Sequence, residues 1–139
     1  MLLNHLCYYS RAASPITEED VKEILSIASE NNRKYGITGV LVYAEQIFLQ
    51  VIEGHRDNLN YLYCSILHDA RHYDCTLLYY GPIAHRRYFD WDMGYIEGNE
   101  VSRILQLEFG ATENFDPSMM NYEQALGFLE RFVQLDKLK

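Results

Sequence analysis

Two carboxamides stand where a core should be apolar. Asn32 continues a helical stripe of apolar residues, and Gln50 interrupts the run Ile47-Phe48-Leu49-Gln50-Val51-Ile52. A buried amide left without partners costs ~1–3 kcal/mol. A chain that turns two amides and Tyr8 toward one interior therefore reads as one that builds a polar pocket for a planar ligand. An Asn amide donates and accepts in one plane, which suits the alternating acceptors and N–H groups along the edge of a flat heteroaromatic ring. A Gln amide can bridge ring and phenol, and it can reverse, exchanging donor for acceptor, so the network has two satisfiable arrangements. A phenol is a fair donor of an electron and a proton to an excited ring. One hydrogen bond is worth ~1 kcal/mol net, so exchanging two shifts a local equilibrium by ~10-fold or more. That is enough for a switch and too little for difficult chemistry.

The elements that must position these groups are legible in the pattern. Leu2 to Ser10 reads as a strand, broken by Ser14-Pro15-Ile16-Thr17. Thr17 with Asp20 resembles a capping box, and Glu18 and Glu19 suit a helix N-terminus. Val21, Ile24, Leu25 and Ala28 follow at helical spacing, and four more residues reach Asn32, which therefore points inward. Gly36 is placed to end this helix. Two strands, Thr38 to Tyr43 and Ile47 to Glu53, flank a short Ala44-Glu45-Gln46 hairpin connection. A helix is predicted from His55 to His68, with Leu59, Leu62, Tyr63 and Ile66 on one face. A strand follows from about Cys75 to Tyr80, and a short alternating strand from Trp91 to Glu97. Helical pieces over Glu100 to Glu108 and about Tyr122 to Leu135 are joined by a turn containing Pro117.

The order β-α-β-β-α-β-β, then α-α, predicts an α+β fold. Its core is a ferredoxin-like sheet with two helices on one face, followed by a C-terminal helical pair. That plan sets the first and third strands side by side at the centre. Strand parity groups Leu6, Tyr8 and Ser10, and likewise Phe48, Gln50 and Ile52. If those faces lie under the helices, Tyr8, Gln50 and Asn32 converge. Where the fifth strand joins the sheet is not fixed by the pattern. Tyr122, Ala125, Leu126, Leu129, Phe132 and Val133 form one apolar stripe suited to the opposite sheet face.

With 139 residues, 48% of them apolar, the chain has enough material for a folded core. A net charge of −8, with no basic run longer than Arg86-Arg87, argues against nucleic acid as the main partner. No apolar stretch approaches the ~20 residues that span a bilayer, and the first residues lack the pattern of a signal peptide. Cys7, Cys64 and Cys75 have no CxxC spacing and read as reduced, mostly buried thiols of a cytosolic protein. His68 and His72 stand at metal-ligating spacing, but the helix is expected to end between them and no HExxH glutamate is present, so no metal is expected. No Ser-His-Asp order, P-loop or GxGxxG anchors a catalytic site.

Taken in order, several motifs resemble the BLUF family of flavin-binding blue-light sensors. They are Tyr8-Tyr9-Ser10, the block from Asn32 to Gly39, the run Phe48 to Gly54, the pair Arg71-His72, and Arg86-Arg87 followed by Trp91-Asp92-Met93. The resemblance covers roughly residues 1–98, and the tail is similar to that of short, single-domain members. It implies a flavin-binding domain over 1–98 and a helical extension over 99–139 packed on the sheet. It also implies a noncovalent flavin between the two helices, FAD first, with FMN or riboflavin as alternatives. Tyr8 would be the photochemical donor, and Gln50 the amide that reorganises and renews a hydrogen bond to the flavin carbonyl. Asn32 would hold the ring edge with Asn31 close by, Arg71 would reach the other carbonyl, and Asp69 the ribityl region. His72 would line the ring; Ile37, Leu41 and Phe48 would pack against it. Trp91 and Met93 would relay the change toward the tail. Signalling would pass to a separate partner protein from a cytoplasmic homo-oligomer with no enzymatic activity, no membrane and no nucleic acid.

Singly, each residue has an ordinary reading. Tyr8 could be a buried tyrosine, Gln50 an edge-strand amide, Asn32 a helix-end amide near Gly36, Arg71 a solvated loop charge and Trp91-x-Met93 core packing. Lys34 stands where a phosphate contact or plain solvation would serve. Two other functions stay open at this point: a flavin-dependent redox protein or carrier, and a ferredoxin-like ligand module with no chromophore.

Overall fold

A computed structural model of the chain describes residues 2–88, 92–109 and 115–134. The strands are β1 (Leu3–Ala12), β2 (Thr38–Ala44), β3 (Ile47–His55), β4 (His72–Pro82) and β5 (Gly94–Ile96). The helices are α1 (Glu18–Tyr35), α2 (Arg56–Leu67), α3 (Gly98–Phe109) and α4 (Tyr122–Gln134), with a 3₁₀ turn at Pro117–Met119. The sheet order is β4-β1-β3-β2-β5. β1 and β3 are central and antiparallel, as the ferredoxin-like plan requires, and β5 joins the edge parallel to β2.

Local chemistry sets the boundaries. Thr17 caps α1: its hydroxyl accepts from the Asp20 N–H at 3.2 Å while the Asp20 carboxylate accepts from the Thr17 N–H at 3.0 Å. Gly36 closes α1 with a left-handed φ of 66°, a conformation glycine adopts without a Cβ penalty. The β2–β3 connection is a two-residue turn with Glu45 and Gln46 both at positive φ, the backbone twist that joins antiparallel strands tightly. Gly39 has a different reason: a Cβ there would collide with the Val51 carbonyl oxygen of the neighbouring strand.

Two apolar layers sandwich the sheet. On one face Leu6, Tyr8, Leu41, Phe48 and Ile52 pack with Leu59, Leu62 and Ile66 of α2 and Leu25 of α1. On the other, Cys7, Val40, Val42, Leu49 and Val51 meet Val101 and Ile104 of α3 and Ala125, Leu126, Phe128, Leu129 and Phe132 of α4. The apolar stripe read in the tail thus covers the second face, joined by Phe128; the side chain of Val133 lies outside the described set.

Three expectations are corrected. β4 runs from His72 to Pro82, longer than the expected strand from about Cys75 to Tyr80, because β1 offers ladder partners from Asn4 to Ala12. β5 holds only Gly94–Ile96, so Met93, expected within the strand, lies before it. Asn32 donates to the Asp92 carbonyl at 2.8 Å and Arg33 pairs with the Asp92 carboxylate at 2.9 Å, which commits the residues before β5 to α1 instead of the ladder. Trp91 lies outside the described residues. Finally, the thiols are not mostly buried: Cys7 is buried, Cys75 is half-buried and Cys64 is exposed, outside the apolar stripe of α2. Burial pushes the Cys7 thiol up to about 12 and raises that of Cys75. A thiol reagent at mildly alkaline pH should label Cys64 first, Cys75 more slowly, and Cys7 only on unfolding, since the thiolate is the nucleophile. Mass mapping of a labelling time course checks this; early labelling of Cys7 would contradict the packing.

Candidate flavin site

The register of the central strands builds the site. Tyr8 of β1 pairs directly with Gln50 of β3, which pairs on its other side with Leu41 of β2. All three side chains face α1 and α2. The Tyr8 hydroxyl donates to Gln50 Oε1 at 2.6 Å, and Gln50 Nε2 faces Met93 Sδ at 3.5 Å. Tyr8, Asn32 and Gln50 are 4%, 2% and 7% exposed, so all three polar side chains are withdrawn from bulk water.

Between the helices and the sheet lies a cavity of about 220 Å³. Nine of the residues named from the sequence line it: Tyr8, Asn31, Asn32, Leu41, Phe48, Gln50, Asp69, Arg71 and His72. Ile37 belongs to the adjoining apolar cluster without lining the cavity, as does Met93. The wall also includes Ile24, Ile27 and Ala28 of α1, and Leu62, Ser65 and Ile66 of α2. The spacing by four of Ile24 with Ala28, and of Leu62 with Ile66, was the available signal. It reads as core, because an inward stripe looks the same whether it faces a side chain or a ligand.

The polar groups at the rim are fixed by one another. Ile66's carbonyl can only accept, so its 2.6 Å contact makes His72 Nε2 a donor, while Nδ1 faces the Ser10 hydroxyl at 2.7 Å. His72 therefore ties the end of α2 to β1 and stands edge-on to Tyr8 and Phe48. Arg71 grips the Asp69 carboxylate through Nε at 3.0 Å and Nη2 at 2.5 Å. That hydrogen bond holds the Asp69 carboxyl below its usual range. Burial, reinforced by Cys75, Tyr63 and Asp69, drives the Tyr8 phenol far above the ordinary tyrosine range. Tyr8 is therefore a neutral O–H donor at any working pH.

These residues fit a flavin on the donor set itself. Apolar side chains from two helices and the sheet make a slot for a flat ring. The amides supply in-plane donors and acceptors, and among the described residues the Asn32 side-chain oxygen has no protein donor. Among the described residues, no group of three or more His, Cys, Asp or Glu could hold a metal ion.

A family model described as "BLUF: Sensors of blue-light using FAD" matches residues 3–94. The photoactivated adenylate cyclase subunit beta of Euglena gracilis is 37% identical over 93 residues, which is 66% of this chain and 11% of that protein. The chain thus spans only about a ninth of that relative. The blue light- and temperature-regulated antirepressor BluF of Escherichia coli (strain K12) is 27% identical over 136 residues, covering 95% of this chain and 33% of that one. Among solved structures, BlsA in its ground state superposes with a TM-score of 0.82 at 30% identity, covering 94% of this chain and 87% of the other. With a matching family model over most of its length and the same fold as a solved relative, the chain belongs to the BLUF family, the sensors of blue light using flavin.

Proposed function

We propose that FAD is the flavin and that light acts through a Tyr8–Gln50 switch that alters contact with a separate partner protein. The observation that carries this reading is the buried 2.6 Å bond from the Tyr8 hydroxyl to Gln50 Oε1 in the wall of a cavity shared with Asn32. A bound flavin supplies blue-light absorption and an excited ring able to accept an electron and a proton. Tyr8 is placed to give both, its proton leaving along the hydrogen bond to Gln50 Oε1. Loss of that proton removes the donor that fixes the amide. The Gln50 amide can then reverse, which turns Nε2 toward the Tyr8 oxygen and the carbonyl away from it. Return of both the electron and the proton to Tyr8 leaves the new arrangement in place until it relaxes. Met93, beside Nε2, senses which amide end it faces, because a thioether accepts weakly and donates nothing.

The remaining assignments belong to the same proposal. Asn32 and Asn31 hold the ring edge, Arg71 and His72 flank it, Asp69 meets the ribityl region, and Ile37, Leu41 and Phe48 pack the ring and its surroundings. Trp91 and Met93 pass the change on. Residues 1–98 hold the flavin and 99–139 form the helical cover. Contact signalling without enzymatic activity is favoured because both ring faces would be walled by α1 and α2, leaving little room for a substrate. The relative named as an antirepressor suits such a mechanism. No helix among the described residues is long and apolar enough to cross a membrane, and we place the protein in the cytoplasm as a homo-oligomer.

The test is direct. Flavin released from the purified protein by denaturation should co-chromatograph with FAD. Blue light should move the absorption of the holoprotein to longer wavelength, reversibly in darkness. A colourless protein that takes up no added flavin would refute the proposal, and steady dark turnover of a reductant would favour a redox enzyme instead.

A further inference from the structure

The antiparallel pair that carries Tyr8 and Gln50 carries a second buried polar pair three residues away, on the opposite face. His5 stands opposite Glu53 in the β1–β3 register, just as Tyr8 stands opposite Gln50. Both are 0% exposed, which for a carboxylate demands partners. Glu53 Oε2 lies 2.9 Å from His5 Nδ1, and Oε1 accepts the backbone N–H groups of Arg87 and Tyr88, each at 2.9 Å. His5 Nε2 lies 3.1 Å from the hydroxyl of Tyr122, the first residue of α4. The Arg87 side chain reaches further along α4, pairing with Glu130 at 2.5 Å.

The segment 86–88 is therefore clamped between sheet and α4. Arg86 extends the clamp toward the end of α1 and the start of β2, donating to the Gly36 carbonyl at 2.6 Å and to the Thr38 hydroxyl at 2.9 Å. A few residues downstream, Asp92 and Met93 are held by Asn32 and Gln50, the two amides of the cavity. Asp92 and Met93 are thus tied to the amides of the proposed switch, and residues 86–88 to α4.

We propose that the Glu53–His5 pair is a latch holding segment 86–88 against α4, and that displacement of this segment carries the light-induced change at Gln50 through to α4. Glu53, His5, Tyr122 and Arg87 are positioning residues in this scheme, since none lines the cavity. The inference rests on the Tyr8–Gln50 reading of the photochemistry. It goes beyond that reading in naming α4 as the output element and the latch as its coupling. Packed, fully hydrogen-bonded elements pass from one discrete arrangement to another instead of deforming smoothly, so a small shift at the amides can move the segment as a unit.

The experiment uses the full flavin-loaded chain and two readouts: the absorption shift, and hydrogen exchange of α4 backbone amides in darkness and under blue light. In the wild type, light should accelerate or slow α4 exchange by about 5-fold or more. Arg87→Gln keeps the backbone donor to Glu53 but severs the bridge to Glu130, and Tyr122→Phe removes only the hydroxyl. Combined, they should reduce the light dependence of α4 to less than about 2-fold while the absorption shift keeps its full amplitude. Glu53→Gln should do the same. If Glu53→Gln fails to fold, the milder pair decides alone. Undiminished light dependence of α4 in these variants would overturn the latch, as would a wild type whose absorption shifts while α4 stays silent. A wild type with bound flavin and no absorption shift would remove the photochemical reading itself, and the latch with it.

Discussion

Tyr8→Phe should abolish the light-induced absorption shift while the protein still binds flavin. The substitution removes one oxygen and keeps the ring, whose packing against Tyr63 at 5.6 Å and His72 at 6.5 Å needs no hydroxyl. The lost bond is worth ~1 kcal/mol, and leaving Gln50 Oε1 without its donor adds a penalty within ~1–3 kcal/mol. The fold should survive that. What cannot survive is electron and proton donation from residue 8, because phenylalanine has no proton to give. Flavin fluorescence should rise, since the proposed electron donor is gone. A Tyr8→Phe protein that shifts with wild-type amplitude would show that another residue is the donor, with Tyr63 the first to examine.

Gln50→Leu should remove the lasting shift by a different route. Leucine fills nearly the same volume in a strand whose neighbours are Leu49 and Val51, both fully buried. It provides no amide to turn, so the Tyr8 hydroxyl loses its acceptor and Met93 loses the N–H facing it. Tyr8 itself remains, so rapid quenching of flavin fluorescence should persist even as the stable spectral change disappears. The contrast is the useful part: the Phe variant loses quenching and shift together, and the Leu variant loses the shift alone. A Gln50→Leu protein with an ordinary photocycle would exclude the amide from the switch.

Much of this architecture is legible in the residues. Thr17 with Asp20 and Gly36 bracket α1 within a residue of where it lies, and helical spacing by four turned Asn32 inward correctly. Parity on β1 and β3 brought Tyr8 and Gln50 to one face, and the central pairing set them opposite each other. The failures have physical causes. The alternation of its neighbours places Met93 in a strand, yet one hydrogen bond from Asn32 and the ion pair with Arg33 hold Asp92 away from the ladder. Those contacts join residues 60 and 59 apart in the chain, beyond any local pattern. The length of β4 depends on how much of β1 is free to pair, which no local pattern carries. Glu53 reads as the end of a strand, yet its parity with Leu49 and Val51 sets a carboxylate on an apolar face. His5 shares a face with Cys7 in the same way. A charged residue in phase with core positions was the signal for the second buried pair.

The claim on which the rest depends is that light re-aims the Gln50 amide within its partnership with Tyr8. Light-minus-dark infrared spectroscopy of the flavin-loaded chain tests it most directly, because a stronger hydrogen bond to a flavin carbonyl lowers its stretching frequency. The expected result is a downshifted flavin carbonyl band in the illuminated wild type, decaying in step with the absorption shift and absent in Gln50→Leu. A full absorption shift with an unmoved carbonyl band, or the same downshift in Gln50→Leu, would contradict it.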